Sequence, residues 1–547
     1  MRVVNSYNLA DEPWIRVMDQ NNSTKEISLA EALIGAHRYS SLAGESPAQD
    51  AAILRLLIAI AYTVFYRTDE DGQPASLRDE DAALDRWEAI WRRREFPAGP
   101  VRAYIDQWHG RFDLLDETHP FYQVPEASIG TPHTAAKLNG SILQSENKVR
   151  IFAGRAGGAD KSLTLSEAAR WLIYLQGYDD ASVKPKTPDG KKNVKTKPGS
   201  ARGWLGNLGM IYALGDNLFE TIWINTVFLK DGEQLYGEPL PSWELEQAKT
   251  GEYISIPLPN DLAELFTLQS RRVLLKMSEG LVTEYSEYCG DLLGTENAFA
   301  EPMTVWRPVK KKAETIGYSP KPHAPSRQLW RDFSTVAVQS TENRLPGITY
   351  WLKRLQEDGG LERERLMRFA AVSVLYDSSG SSVTNTVSDS LSFHVDLLTE
   401  AGYIWQKHIV DQVHLCDRLA FAVGELAGEL AIAAGKRETE NKKAVPASRM
   451  SAAEAAKEQY YYRIDTAFRQ WLLRPKAEQI MEEITALCVE WQDTARRIAQ
   501  TLGRELADGA GEAAFIGRWA ESDSKETKYH YSTPEAFNKF IGRITKA

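Results

Sequence analysis

Cysteine is scarce in this chain of 547 residues, which has three, and Cys289, Cys416 and Cys488 show no C-x-x-C spacing. That excludes a disulfide framework, a zinc ribbon and a dithiol redox site, and makes a reducing interior the expected compartment. Long hydrophobic runs are also missing. The most apolar stretch, Ala51 to Tyr66, is 16 residues long and contains Arg55, short of the roughly 20 apolar residues that cross a bilayer. The start of the chain carries Asp11 and Glu12 and no apolar core, so the expectation is a cytoplasmic protein with no signal peptide and no membrane contact.

Catalytic signatures are equally thin. None of the nine histidines forms an i, i+4 pair or an H-E-x-x-H motif, and His408 and His414, six apart, point to different faces of a helix. No G-x-S-x-G elbow exists for a serine nucleophile. The stretch Gly154 to Ser162 follows the strand-like Val149 to Phe152, where a phosphate-binding loop would sit. It has Asp160 and Arg155 where such a loop needs glycines, so side chains would block the backbone cradle. Carboxylate pairs such as Asp179-Asp180 fall in polar stretches and are expected to be solvated. The residues nominate no catalyst, no metal and no cofactor.

What is present is the composition of a globular protein, 43% hydrophobic and 26% charged, long enough for several compact units. The net charge of −10 repels nucleic acid on average, yet the cations are unevenly placed. Between Lys184 and Arg202 stand seven basic residues (Lys184, Lys186, Lys191, Lys192, Lys195, Lys197 and Arg202) and one acidic residue, Asp189. A second run holds Arg307, Lys310, Lys311 and Lys312. The first is interleaved with Pro and Gly, so i, i+4 pairing with glutamates cannot neutralise it. The residues leave two readings open: a solvated loop, or a place where an acidic protein tolerates a polyanion.

Periodicity divides the chain into residues 1–393, a large mixed α/β domain, and 394–547, a four-helix bundle, making the fold class α+β. In the first part, Ser28 with Glu31 and Thr164 with Glu167 read as capping boxes, and Ser46-Pro47-Ala48-Gln49 starts a helix before the apolar run Ile53 to Phe65. Glu26 to Leu29, Leu218 to Phe228 and Val273 to Lys276 read as strands. Val372 to Tyr376 and Val383 to Val387 flank the polar turn Asp377 to Ser382, which predicts a hairpin with a solvent-facing tip. In the second part, Ile409, Val413, Cys416, Ala420, Val423, Ala427 and Leu430 recur at helical spacing, as do Ile480, Ile484, Leu487, Trp491, Ala495, Ile498 and Leu502. A polar link from Gly435 to Arg449 is expected to end at a cap on Ser451 with Glu454, and a last helix to start at Thr533-Pro534-Glu535.

One resemblance covers the chain from Asn8 to the bundle. The opening Asn8-Leu9-Ala10-Asp11-Glu12-Pro13-Trp14-Ile15-Arg16-Val17 resembles that of the CasA family, the large subunit of the type I-E CRISPR surveillance complex Cascade. Ser46-Pro47-Ala48-Gln49 with Leu54-Arg55-Leu56-Leu57, His119-Pro120-Phe121, Leu218-Phe219-Glu220-Thr221, Gln269-Ser270-Arg271-Arg272-Val273, Glu301-Pro302-Met303-Thr304-Val305-Trp306-Arg307 and Leu329-Trp330-Arg331 resemble the family's blocks in order.

The resemblance implies a non-enzymatic subunit that reads the protospacer-adjacent motif on double-stranded DNA, helps open the duplex and recruits a helicase-nuclease, while guide pairing reads the remaining sequence. It implies docking to the other Cascade subunits and the guide RNA 5′ end through Phe152, Arg155, Gly157 and Gly158. Its minor-groove loop falls within Ala181 to Arg202, making Ser182, Lys184, Lys186, Lys191, Lys192, Lys195, Lys197, Gly199 and Arg202 the DNA-contact residues, with Lys276 in the place of a groove-entering lysine. Its duplex wedge matches Asp377, Ser378, Ser379, Gly380, Ser381 and Ser382. The competing expectation is a protein-only scaffold or interaction subunit without DNA contact.

Overall fold

Ser46 accepts a hydrogen bond from the Gln49 N–H at 3.2 Å, and Pro47 opens the helix Pro47–Arg67 as the capping residues predict. The computed structural model in which this is seen describes residues 5–140, 161–182, 202–246, 259–291, 293, 300–312, 314–340, 343–435, 447–522 and 525–547. At 21 residues the helix is longer than the apolar run and long enough to span a membrane, yet 94% of its most apolar window is buried within the protein. Leu57, Ile58, Tyr62 and Phe65 are fully buried. Arg55, 2% exposed, brings a charge into this core, where Glu301 meets it at 2.7 Å and Trp204 Nε1 donates to the same carboxylate at 2.8 Å. A buried charge needs such partners, because desolvating it alone costs several kcal/mol.

Two compact units are present, one of Met1–Pro325 with Val338–Ser390, the other of Ser326–Ala337 with Leu391–Ala547. Three three-stranded antiparallel sheets lie wholly or mainly in the first. One orders Thr24–Ile27, Ile15–Asp19 and Tyr39–Leu42; another Thr131–Thr134, Leu281–Cys289 and Arg271–Ser278; the third Val383–His394, Leu366–Tyr376 and Met210–Leu214. The last two frame the candidate site. In the third sheet Arg368 to Val372 lie opposite Leu214 to Met210, which leaves the tyrosine end of the strand to run on toward its turn.

Several sequence expectations are corrected. Leu218 to Phe228 is not a strand: Asn217 accepts from the Glu220 N–H at 2.9 Å and starts the helix Leu218–Ile224, all of it buried. A short apolar run buried on every side has no periodicity to separate helix from strand. The strand expected at Glu26 to Leu29 is Thr24–Ile27, after which Ser28 caps the helix Leu29–Ile34. Only half of that expected capping box forms, since Glu31 turns to Arg38 at 2.8 Å. Thr164 and Glu167 do form the reciprocal box.

The second unit holds four long helices, Tyr403–Ala433, Ala447–Leu472, Met481–Asp508 and Thr533–Lys546. The first apolar series, Ile409 to Leu430, is buried throughout. In the second, Ile480 is 60% exposed and Cys488 and Ala499 face inward beside Ile484, Trp491, Ala495 and Leu502. The helix from Ala447 begins before Ser451, so the expected cap there is an interior position, and Glu454 pairs with Lys457 at 2.8 Å. Ser326–Ala337 belongs to this unit through Trp330, which stacks on Phe468 with centroids 4.3 Å apart and donates to Asp465 at 2.9 Å. A short helix, Gly511–Ile516, and a hairpin, Arg518–Ser522 with Lys525–Tyr531, are additions the helical period did not announce.

Candidate nucleic-acid interface

The sequence places the basic segment and the polar turn far apart, and the structure brings the residues that flank the segment, Ala181 and Arg202, to the turn. At the base of the basic segment, Gly203 N–H donates to the Asp179 carbonyl at 2.9 Å, and Ala181 N–H donates to the Gly380 carbonyl at 2.8 Å. Beyond it, the Arg202 guanidinium lies over the Tyr376 ring, 4.3 Å from its centroid. It also packs against Gly380, where a Cβ would stand 2.8 Å from an Arg202 nitrogen and where φ is 73°. Gly380 therefore serves twice, supplying a left-handed turn position and leaving room for a guanidinium. The Tyr376 hydroxyl donates to the Tyr178 carbonyl at 2.6 Å, and burial pushes its pKa well above the ordinary range, so it stays a neutral donor.

The tip itself is ordered by one carboxylate. Asp377 accepts from the Ser379 hydroxyl at 2.9 Å, the Ser381 N–H at 2.8 Å and the Ser382 hydroxyl at 3.1 Å, while Gly380 N–H closes onto the Asp377 carbonyl at 2.9 Å. Desolvation pushes the Asp377 carboxyl up, and these donors outweigh it and hold it down at about 2. The tip is only partly solvent-facing, against expectation: Ser378 and Ser379 are exposed, whereas Gly380 and Ser382 are buried.

Asp179 and Asp180, expected to be solvated, are buried at 6% and 4% exposure. Asp179 is ion-paired with Arg271 Nε, and Arg271 also donates to the Asp180 carbonyl at 2.7 Å. Burial would depress the Arg271 pKa, and the Asp179 charge more than offsets it, leaving it raised. Asp180 in turn accepts from the Ser182 N–H at 2.8 Å. The basic segment thus starts from a buried ion pair that composition alone did not reveal. Its signal was available only as an Arg at the start of a strand and an Asp after a helix, too common a combination to single out.

Of the residues read from the sequence, Ser182, Arg202 and Asp377 to Ser382 are brought together. Lys184, Lys186, Lys191, Lys192, Lys195, Lys197 and Gly199 lie outside the described residues, as do Phe152, Arg155, Gly157 and Gly158. Lys276 stands elsewhere, half-buried on the strand Arg271–Ser278 opposite Glu284, at a register shift. It is five residues from Arg271, about 16 Å along the strand. The second basic run forms its own hairpin, Trp306–Lys311 with Glu314–Pro320, where Lys310, Lys311 and Lys312 are exposed.

A mixed α/β unit in which Ala181 and Arg202 meet a hairpin tip, together with a helical bundle, is the class that fold and site define. The family model described as CRISPR-associated protein Cse1 matches residues 8–502, and the chain belongs to that family. It is 25% identical over 375 residues to the CRISPR-associated protein CasA/Cse1 of Thermus thermophilus, covering 67% of this chain and 68% of that protein. The crystal structure of Thermobifida fusca Cse1 is 27% identical with a TM-score of 0.79, covering 99% of this chain and 98% of the other. A chain of a structure described as a CRISPR RNA-guided surveillance complex shares the fold, with a TM-score of 0.62 at 17% identity over 92% of this chain and 100% of that one.

Proposed function

We propose that the chain is the large subunit of a type I-E CRISPR surveillance complex, acting in the cytoplasm, which reads the protospacer-adjacent motif on double-stranded DNA, helps open the duplex and recruits a helicase-nuclease without catalysing a step itself. Membership of the Cse1 family supports the subunit role. The observation that supports the DNA role is the Ala181 to Gly380 hydrogen bond with Arg202 over the Tyr376 ring, because these two residues flank the lysine-rich stretch in sequence and both meet the polar tip. Cations that hold a duplex by its phosphates supply register, and a rigid element beside them can act at the adjoining base step.

In this reading, Lys184, Lys186, Lys191, Lys192, Lys195, Lys197 and Arg202 meet phosphate, Ser182 and Gly199 let the backbone approach, and Lys276 reaches the groove from its own hairpin. Phe152, Arg155, Gly157 and Gly158 seat the subunit on the guide RNA 5′ end and the other Cascade subunits, Phe152 by stacking on a base and Arg155 by meeting a phosphate. The test is a gel shift with the guide complex assembled with and without this chain, on targets with intact and altered motif. The expected outcome is motif-dependent binding that needs the chain. Binding indifferent to both chain and motif leaves a scaffold.

A further inference from the structure

A cavity of about 310 Å³ lies in the first unit, lined by the stretch 118–126, the turn Ser242–Glu244 and the end of the strand Leu281–Cys289. That volume is at the lower end of the range for small-molecule sites, and none of its lining residues is among those assigned above to DNA or guide contact. Arg111, on its wall, is short of an anion. The guanidinium donates to the Leu245 carbonyl at 2.8 Å and has no ion-pair partner among the described residues. Burial pulls its pKa down, and Asp116 offsets that only in part. His119 lines the cavity as well. Thr118 gives its hydroxyl proton to Asp116 at 2.9 Å, so its oxygen accepts from His119 Nδ1 at 3.1 Å, and the other ring nitrogen of His119 has no partner among the described residues. Rings form much of the remaining wall: Phe121 and Tyr122, with centroids 4.6 Å apart, Trp243 and Tyr288. The Trp243 N–H is already given to the Tyr104 hydroxyl at 2.8 Å, so this ring brings surface rather than a donor. Tyr122 holds a left-handed backbone, φ 57°, which a bulky residue keeps only where its surroundings enforce it. Two polar groups complete the lining. Gln269 donates through its amide nitrogen to Ser242 at 3.3 Å, leaving its carbonyl oxygen to accept, and Glu126 is exposed with no ion-pair partner among the described residues.

We propose that this cavity is a binding site for a nucleoside monophosphate. The phosphate answers Arg111 and His119, the base lies against the aromatic wall, and its exocyclic amine is met by the Gln269 carbonyl and the Glu126 carboxylate. A fork of guanidinium donors suits phosphate, and an aromatic wall accepts the flat surface of a base. Charge sets the number of phosphates. One guanidinium and one imidazole share the lining with an uncompensated carboxylate, so a second and third phosphate would add repulsion without meeting a further cation. The same ligand chemistry is carried by a nucleotide free in solution and by the 5′-phosphorylated end of a strand.

The test is calorimetric titration of the full chain with AMP, adenosine, inorganic phosphate, ATP and a 5′-phosphorylated tetranucleotide that begins with adenine. AMP should bind at least about tenfold more tightly than adenosine or phosphate, and several-fold more tightly than ATP. Arg111→Gln should weaken AMP binding about tenfold or more. His119→Ala should weaken it about threefold and leave adenosine unchanged, while Glu126→Gln should close most of the gap between AMP and ATP. His119 and Glu126 are exposed, so these two variants decide the matter even where Arg111→Gln fails to fold. A tetranucleotide that binds as tightly as AMP makes a strand end the ligand, and one that binds more weakly makes it the free nucleotide; both outcomes support the site. No AMP binding up to about 5 mM, phosphate binding as tight as AMP, or AMP affinity unchanged by His119→Ala and Arg111→Gln would each overturn the proposal.

Discussion

Arg202 and Tyr376 meet as cation over ring, 4.3 Å from guanidinium carbon to centroid. Such a contact stabilises by about 0.5–1 kcal/mol when exposed and about 2 when desolvated. The pair therefore lies in the range where a ligand's binding energy can strain or release it. Everything beneath it is more firmly fixed. The tyrosine hydroxyl is bonded to Tyr178, and the segment's base is tied to the buried Arg271–Asp179 pair through the Asp179 carboxylate and the Asp180 carbonyl.

That buried pair gives a stability prediction. Arg271 and Asp179 have side chains 1% and 4% exposed, so Asp179→Ala takes the ion-pair partner from a buried cation and is expected to cost about 3–5 kcal/mol. Asp179→Asn, which keeps an acceptor, should cost less. Urea denaturation of the two variants checks it, and a destabilisation by Asp179→Ala below about 1 kcal/mol would show that the pair does not anchor the segment.

The lysines between Lys184 and Arg202 make a salt prediction. Replacing Lys191, Lys192, Lys195 and Lys197 with Ala should flatten the dependence of log affinity on log salt by up to ~0.9 for each phosphate that is no longer neutralised. The slope is measured by titrating duplex target at several salt concentrations. An unchanged slope returns the segment to a solvated loop.

Asp50 makes a pH prediction. Burial raises its carboxyl to about 7, against the opposing pull of the Gly44 N–H, Arg170 and Arg16. Between the ordinary carboxyl range near 4 and pH 7 the folded protein holds a proton the unfolded chain has released, so stability falls as pH rises through that window and levels off above it. Asp50→Asn should remove that slope and stabilise the protein above pH 7 by on the order of 2 kcal/mol. Thermal melts from pH 5 to 8 measure it, and parallel curves for the two proteins would contradict it.

Asp377 is the opposite case. Its carboxyl is held at about 2, below the ordinary value, with the serine donors outweighing desolvation. Its contribution to the tip is complete above the ordinary carboxyl range and is lost only as pH falls through about 2. Tip order should therefore be constant from pH 5 to 8. Asp377→Ala should quicken amide exchange at Ser381 and slow duplex opening. Exchange at Ser381 that matches the wild type would mean the turn is held by its backbone alone.

How far the sequence revealed this arrangement depended on how local each signal was. Ser46 with Gln49 and Thr164 with Glu167 were legible because a cap is written within four residues. The first bundle stripe was legible because Ile409 to Leu430 repeats with the turn of a helix. Leu218 to Ile224 was misread because burial on all sides erases period, and the inward turn of Cys488 and Ala499 because a helix with two plausible stripes needs its neighbours to choose between them. The hairpin was visible from its apolar flanks, but the seat of its tip was not. Gly380 is buried by Arg202 and Ala181, which a linear pattern cannot bring to it. Asp179 looked solvated for the same reason, with its partner Arg271 lying 92 residues away.

The strand Leu366–Tyr376 is pinned on both sides near its end. The Ser373 hydroxyl donates to the Leu208 carbonyl at 3.0 Å and accepts from the His323 N–H at 2.9 Å, and three residues on, Tyr376 binds Tyr178. Side chains alternate along a strand, so residues three apart project from opposite sides and both anchors hold only if their spacing stays odd. One residue inserted or deleted between Ser373 and Tyr376 would invert the tyrosine and unseat Arg202 with it. Lineages that alter the reach of this hairpin are therefore expected to do so in steps of two or beyond Tyr376.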